Sequence, residues 1–118
     1  MNQNQFLIKV QNRESFLLAN DGQYLGRLTL NSYATESISN PYGVHGSLYS
    51  STSIKNHYSN YGSPYSSLSP FNPYTSTPPI IYLRGTFYGY LTKNGYMSIN
   101  SVDPENLTVW MRQNNLNY

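Results

Sequence analysis

Residues 31–78 read NSYATESISNPYGVHG (31–46), SLYSSTSIKNHYSNYG (47–62) and SPYSSLSPFNPYTSTP (63–78), one sixteen-residue unit written three times without a gap. Tyr33, Tyr49 and Tyr65 share a column. So do Ser37, Ser53 and Ser69, then Asn40, Asn56 and Asn72, then Tyr42, Tyr58 and Tyr74. Gly46 matches Gly62, Ile38 matches Ile54, and His57 stands between Pro41 and Pro73. A fixed period marks a repeat architecture, in which one short unit cannot bury a core alone and must lie on its neighbours.

Within a unit the chemistry is that of turns. Ser37-Ile38-Ser39-Asn40 predicts a short helical or 3₁₀ turn, because serine side chains satisfy orphan backbone donors. The turn stops at Asn40, since a residue before proline is pushed out of the α region. Asn40-Pro41-Tyr42-Gly43 predicts a bend: Asn bonds back to the chain, Pro presets φ, Gly permits positive φ. Aliphatic residues are few here (Ile38, Val44, Leu48, Ile54, Leu68), whereas seven of the thirteen tyrosines fall in this stretch. The rings are therefore expected to supply the missing apolar area, with their hydroxyls bonded to Ser, Asn or backbone. Tyr33, Tyr49 and Tyr65 are expected to pack repeat on repeat, and Tyr42, Tyr58 and Tyr74 to be reachable on the turns. Rich in Ser, Gly, Asn and Pro, the segment also has the composition of a disordered one. The register of the tyrosines and the near absence of charge, Glu36 and Lys55 alone, argue for order.

Outward from the repeats, two stretches predict the same hairpin. Phe16–Ala19 and Tyr24–Leu30 flank Asn20-Asp21-Gly22, a turn signal between apolar runs. Sixty-three residues on, Gly22 maps to Gly85, Tyr24 to Phe87, Gly26 to Gly89, Leu28 to Leu91, Thr29 to Thr92, Asn31 to Asn94 and Tyr33 to Tyr96. Ile80–Leu83 and Phe87–Leu91 then form the second hairpin. Alternation places Tyr24, Gly26, Leu28 and Leu30 on one face of the return strand. A glycine inside each return strand marks a bulge or a close backbone approach, or else merely accommodates a neighbouring tyrosine ring. Phe6–Val10 reads as a further short strand, and Thr77-Pro78-Pro79 closes the repeats.

The tail predicts one helix over 103–115. Asp103 caps it, Pro104 takes the first position, and Leu107, Trp110 and Met111 make one apolar stripe. Trp110 reads as a core anchor. The fold expected is thus mainly β: a small antiparallel sheet or open barrel from two related hairpins, irregular repeats between them, and one C-terminal helix. The chain is expected to be a single domain over 1–118, divided into N-terminal strands and hairpin (1–30), repeats (31–78), second hairpin (79–102) and helix (103–115).

With a net charge of +2 and 10% charged residues, the chain has too little positive charge for a strong phosphate-tracking surface. It has no cysteine, hence no disulfide or thiolate chemistry. No apolar run reaches the roughly 20 residues of a membrane span. Met1–Gln5 lacks the basic region of a leader, so the location reads either as cytoplasmic as written or as exported with a leader removed. There is no P-loop, GxSxG, HExxH or CxxC. His45 and His57 sit in different columns and read as tolerated repeat positions. Asp21 and Glu36 could be imagined as a glycosidase pair, but Asp21 belongs to its hairpin turn and Glu36 to a turn start. No catalytic residue, metal ligand or cofactor is expected.

The phrases Asp21–Leu28, Ser37–Gly43 and Tyr61–Ser66, with the second hairpin at Ile81–Thr92, resemble a group of short bacterial proteins. These carry a D-G-x-Y-L-G-K-L hairpin followed by tandem S-I-N-N-P-Y-G-x-Y-G-S-x-Y-S repeats. The resemblance covers roughly residues 16 to 96. It implies the hairpin-and-repeat organisation; members are often exported, a pattern from which this sequence, without a leader, is expected to depart, so its location stays open. It carries no functional residues. His57, Pro70 in the isoleucine column and Arg84 in place of the hairpin acid depart from the pattern.

What the composition favours is a non-catalytic binding or scaffolding module. Rings that stack on sugar faces, with amides and hydroxyls beside them, suit glycan or cell-envelope material. The candidate ligand-binding residues are Tyr42, Asn56, Tyr58, Tyr61 and Tyr74. The alternative is a protein-binding inhibitor of phage or host origin, and a small hydrolase ranks below both. Partners are otherwise unspecified, and self-association is compatible with the sequence.

Overall fold

The computed structural model describes residues 1–97 and 100–118. Two helices and five strands follow the chain as α1 (Gln3–Gln11), β1 (Phe16–Leu18), β2 (Tyr24–Arg27), β3 (Ile80–Leu83), β4 (Thr86–Leu91), β5 (Ser101–Val102) and α2 (Leu107–Gln113), with a short 3₁₀ turn at Pro104–Asn106 leading into α2. The strands form one sheet of order β2-β1-β3-β4-β5. All neighbours are antiparallel except β4 and β5, so the sheet is mixed, and it is open: neither the purely antiparallel sheet nor a closed barrel is formed.

The first correction concerns Phe6–Val10, which is helical. Three apolar residues in a row cannot by themselves distinguish strand from helix. The capping box decides it: the Asn2 side chain accepts from Gln5 N at 2.9 Å, and the Gln5 side chain accepts from Asn2 N at 3.0 Å. At the other end the backbone closes with Arg13 N to Val10 O (3.0 Å) and Glu14 N to Lys9 O (3.0 Å), a Schellman pattern with Arg13 in the left-handed region at φ 55°. Among the described residues there are therefore two helices, one toward each end of the chain.

The two hairpins are one structural unit used twice, and their equivalence runs further than the sequence alignment. Leu17 pairs with Gly26 and Leu18 with Tyr24, skipping Leu25. Ile81 pairs with Gly89 and Tyr82 with Phe87, skipping Tyr88. Each return strand thus carries a bulge immediately before its glycine, as expected from Gly26 and Gly89. Beyond the bulge, Arg27 N donates to Glu36 O at 2.8 Å and Tyr90 N to Asn100 O at 2.9 Å. Arg27 makes a parallel bridge to Ser37, and Tyr90 a parallel pair with Ser101. Asn31 N and Asn94 N donate to Thr29 and Thr92 hydroxyls, and Tyr33 N and Tyr96 N to the Asn31 and Asn94 side chains. The central pair Leu17↔Ile81, each opposite the glycine of its own hairpin, joins the two copies antiparallel and marks a local pseudo-dyad.

The turns of the copies differ by one residue. Asn20–Gly22 is a three-residue loop closed by Gly22 N to Ala19 O (2.9 Å), with Gly22 at φ 91°. Arg84-Gly85 is a two-residue loop with φ 50° and 80°, the primed turn in which Asn or Gly is favoured at the first place. Arg84→Asn should therefore raise stability by about 0.5–1 kcal/mol, read as an upward shift of the denaturant midpoint. The exposed Arg84 bond to Asn114 O offsets little of this.

Alternation across the sheet gives two unlike faces. One is aromatic. Phe16 stacks on Tyr82 with centroids 4.9 Å apart, and Phe6 of α1 meets both edge-on at 6.1 and 5.2 Å. The other is aliphatic: Leu17, Leu25, Ile81 and Leu91 join Leu28, Ile38, Ile54 and the α2 stripe Leu107, Trp110 and Met111. Trp110 is buried there, 5.1 Å from the Tyr88 ring. The expected alternation of Tyr24, Gly26, Leu28 and Leu30 is not observed, because β2 ends at Arg27 and its bulge breaks the period of two. Leu25 and Leu28, three apart, both reach the core.

The second correction concerns what fills the interior. The repeat tyrosines do not: Tyr33, Tyr42, Tyr49, Tyr58, Tyr65 and Tyr74 are 89–99% exposed. The inward residues are the serine column, with Ser37, Ser53 and Ser69 each at 0%, and the next column, Ile38, Ile54 and Pro70. Five turns make each of the first two units, and four turns and a bend make the third. Backbone bonds recur every third residue, as Ser53 N to Ser50 O, Asn56 N to Ser53 O and Ser59 N to Asn56 O, and again in the third copy from Ser66 to Thr75. The turn expected at Ser37–Asn40 is one of this series. At nearly every step a Ser, Thr or Asn side chain accepts from the backbone N two residues on, at 2.9–3.3 Å. Hydrogen bonding, not ring burial, carries this ribbon.

Candidate functional site

Each Asn-Pro-Tyr centre is held from both sides of one amide. Asn40 donates to Ala34 O (3.1 Å) and accepts from Tyr42 N (3.0 Å); Asn56 donates to Ser50 O (3.0 Å) and accepts from Tyr58 N (3.0 Å); Asn72 donates to Ser66 O (3.2 Å) and accepts from Tyr74 N (3.0 Å). The Asn56 amide, expected to reach a ligand, is thus already engaged at both ends and works as a staple. Asn56→Ala should cost about 1–2 kcal/mol, because two backbone groups lose their partners; chemical denaturation measures it.

What the staples present is the ring two residues on. Tyr42, Tyr58 and Tyr74 are 96%, 99% and 90% exposed. A second tyrosine stands nine residues before each, and the first such pair brackets a groove of about 430 Å³ formed by Ser32, Tyr33, Asn40, Pro41 and Tyr42. The equivalent columns are Tyr49, Asn56, His57 and Tyr58, then Tyr65, Asn72, Pro73 and Tyr74. Their turns carry the same hydrogen bonds, with serines at 47 and 63 holding Tyr49 N and Tyr65 N at 3.1 and 3.2 Å. Tyr96, after the second hairpin, is held likewise and is 97% exposed. The ring columns were legible as a repeat, and the reach of Tyr42, Tyr58 and Tyr74 on the turns was expected; the outward direction of Tyr33, Tyr49 and Tyr65 was missed. The signal for it was the spacing of Ser and Asn at every third position, which already satisfies the backbone without any ring.

Tyr61, the remaining sequence candidate, differs from the others. It is partly buried against the core, and its hydroxyl donates to Asp21 Oδ2 at 2.8 Å. Burial, reinforced by that bond and the Asp21 charge, pushes its pKa up to about 12. A raised phenol pKa means stability that is complete below pH 10 and lost as pH rises toward 12. Absorbance titration should show a late phenolate step that Tyr61→Phe removes and Asp21→Asn moves to lower pH.

The titratable groups weighed on sequence do not converge. Asp21 is committed to Tyr61. Glu36 lies instead in a pocket of about 410 Å³ between α1, β2 and the first repeat, lined by Ile8, Lys9, Glu14, Tyr24 and Glu36. Lys9 Nζ lies 3.3 Å from Glu14 and 3.7 Å from Glu36, and 4.3 Å above the Tyr24 ring. Burial, then Glu36 and Glu14, raises the Tyr24 pKa. His45 is buried behind it, ring edge-on to Tyr24 at 5.1 Å, with Nδ1 3.2 Å from Thr52 O. Burial lowers the His45 pKa and keeps the ring neutral with Nδ1 as the donor. His57 is exposed and leans on Phe71 at 4.9 Å. Among the described residues no three His, Asp or Glu side chains are grouped to hold a metal ion, and no helix is long and apolar enough to cross a membrane. Compared with known proteins, the chain matches no family model, no curated protein and no solved structure.

Proposed function

We propose that the protein is a non-catalytic binding module whose turn ribbon presents paired tyrosines to a neutral glycan strand, such as cell-envelope material. The observation that carries the reading is the exposure of Tyr33, Tyr42, Tyr49, Tyr58, Tyr65, Tyr74 and Tyr96, each at 89% or more, on a backbone pinned turn by turn. Leaving one such ring in water forgoes on the order of 2 kcal/mol of burial, and exposed apolar area of this extent marks an interaction surface. The surface is nearly uncharged and ring-shaped features recur at a fixed interval, which suits a polymer of neutral rings stacking face on face. Since the asparagine amides are engaged internally, polar contacts fall to tyrosine hydroxyls and the serines beside them.

Retention on insoluble peptidoglycan or β-glucan tests it. The wild type should be retained, and Tyr42→Ala/Tyr58→Ala/Tyr74→Ala should pass through. Retention unchanged in the triple variant overturns the reading. Val44 and Leu48, each 61% exposed between the ring columns, support a second reading, a protein partner. Val44→Ser/Leu48→Ser should abolish co-purification of such a partner while leaving glycan retention intact.

A further inference from the structure

The five carboxylates are distributed so that every arginine is left over. Lys9 pairs with Glu14 and Glu36, Lys93 pairs with Asp103 and Glu105, and Asp21 takes Tyr61. Among the described residues no arginine has a carboxylate within ion-pair distance. Two of them, Arg13 and Arg27, line one cleft of about 220 Å³ with Asn12, Glu14, Ser15 and Tyr118. Arg27 Nε is buried without a hydrogen-bond partner. A buried guanidinium N–H left unpaired costs about as much as the desolvation it has suffered, and an acceptor brought against the guanidinium lowers that cost. Arg13 is fixed opposite by the Schellman closure of α1, which sets its backbone rather than leaving it on a free loop.

We propose that this cleft binds the phosphate group of a phosphomonoester. Its size takes a phosphate and a few further atoms. A guanidinium fork matches phosphate oxygens two at a time, and Ser15 and Asn12 stand beside it with neutral polar groups. The Glu14 carboxylate, drawn onto Lys9 at 3.3 Å, and the negative end of α1 both lower the local potential. Affinity for phosphate alone is accordingly weak, with a Kd of about 1 mM. The site is independent of the tyrosine ribbon.

Titrating ¹⁵N-labelled protein with inorganic phosphate, at ionic strength matched with chloride, tests the inference. Saturable shifts should centre on Arg13, Ser15 and Arg27. Arg13→Asn keeps a residue that tolerates the left-handed backbone and removes the cation; Arg27→Lys keeps charge and length and removes Nε. Each should weaken binding at least fivefold, while Arg112→Gln should leave it unchanged. A hexose phosphate binding more tightly than phosphate assigns the group to a soluble ester, and sedimentation with phosphatidic acid vesicles assigns it to a lipid headgroup. Shifts that stay linear with concentration, or an equal loss in Arg112→Gln, overturn the proposal.

Discussion

Gly26→Ala should be severely damaging, lowering stability by about 3–5 kcal/mol. Two independent penalties combine. Gly26 has φ 122°, beyond the left-handed well that Asn or Asp can share, so any side chain there is strained by about 1–3 kcal/mol. An added Cβ would also lie 2.6 Å from Ile38 Cγ2 and 2.8 Å from His45 Cβ, both on buried residues of the first repeat. Overpacking of this kind costs about 1–3 kcal/mol more. Against a total of about 5–15 kcal/mol for a domain of ordinary stability, this brings the protein close to unfolding at room temperature. The control is Gly22→Ala. Gly22 also has positive φ, at 91°, but a Cβ there meets nothing within 4 Å. It should cost only the strain, about 1–2 kcal/mol. Urea denaturation of the two variants separates conformation from crowding, and equal losses would show that the close approach of the ribbon to β2 is not what Gly26 serves.

That contact explains how much of the fold could be read in advance. The hairpins were legible because their turns need specific residues and their alternation is local: Asn20-Asp21-Gly22 and the Gly26/Gly89 correspondence are visible in the letters. The parallel return to Ser37 and Ser101 was not, because it joins strands by a single bridge or two residues, too short to leave a period. The α1 helix was missed since its deciding feature is the Asn2–Gln5 capping box in a polar segment, while attention to Phe6-Leu7-Ile8 weighs only the apolar run. The tyrosines misled for a physical reason. In an ordinary chain with few aliphatics, rings must go inside because nothing else can bear the entropy of ordering. Here the duplicated hairpin already supplies an aliphatic core from Leu17, Leu25, Ile81 and Leu91, and the ribbon orders itself by a hydrogen bond at nearly every third residue. Freed from that task, the rings can face outward. The groove at Tyr33 and Tyr42 was legible as two columns, but the sign of their direction depended on which columns the serines occupy.

Outward tyrosines at a sixteen-residue interval should bind a polymer far better than its fragments. A single ring–sugar contact of the stacking type contributes about 1–3 kcal/mol, which against the cost of immobilising a short ligand gives millimolar affinity at best. A long strand that reaches a second pair while held by the first meets it at an effective concentration in the millimolar range. Affinity for a glycan of a dozen or more residues should therefore exceed that for a disaccharide by about 10²–10⁴. Removing one pair, Tyr49→Ala/Tyr58→Ala, should lower polymer affinity at least tenfold while leaving disaccharide affinity within a factor of two, because the pairs around Tyr33/Tyr42 and Tyr65/Tyr74 remain. Calorimetry on a length series of oligosaccharides distinguishes this from a single deep site, for which affinity would stop rising after two or three sugars and one tyrosine pair would carry all of the loss. A flat length series would sink the polymer reading even if glycan binding itself survived, since three exposed tyrosine pairs on one pinned ribbon give advantage only to a ligand that can occupy more than one at a time.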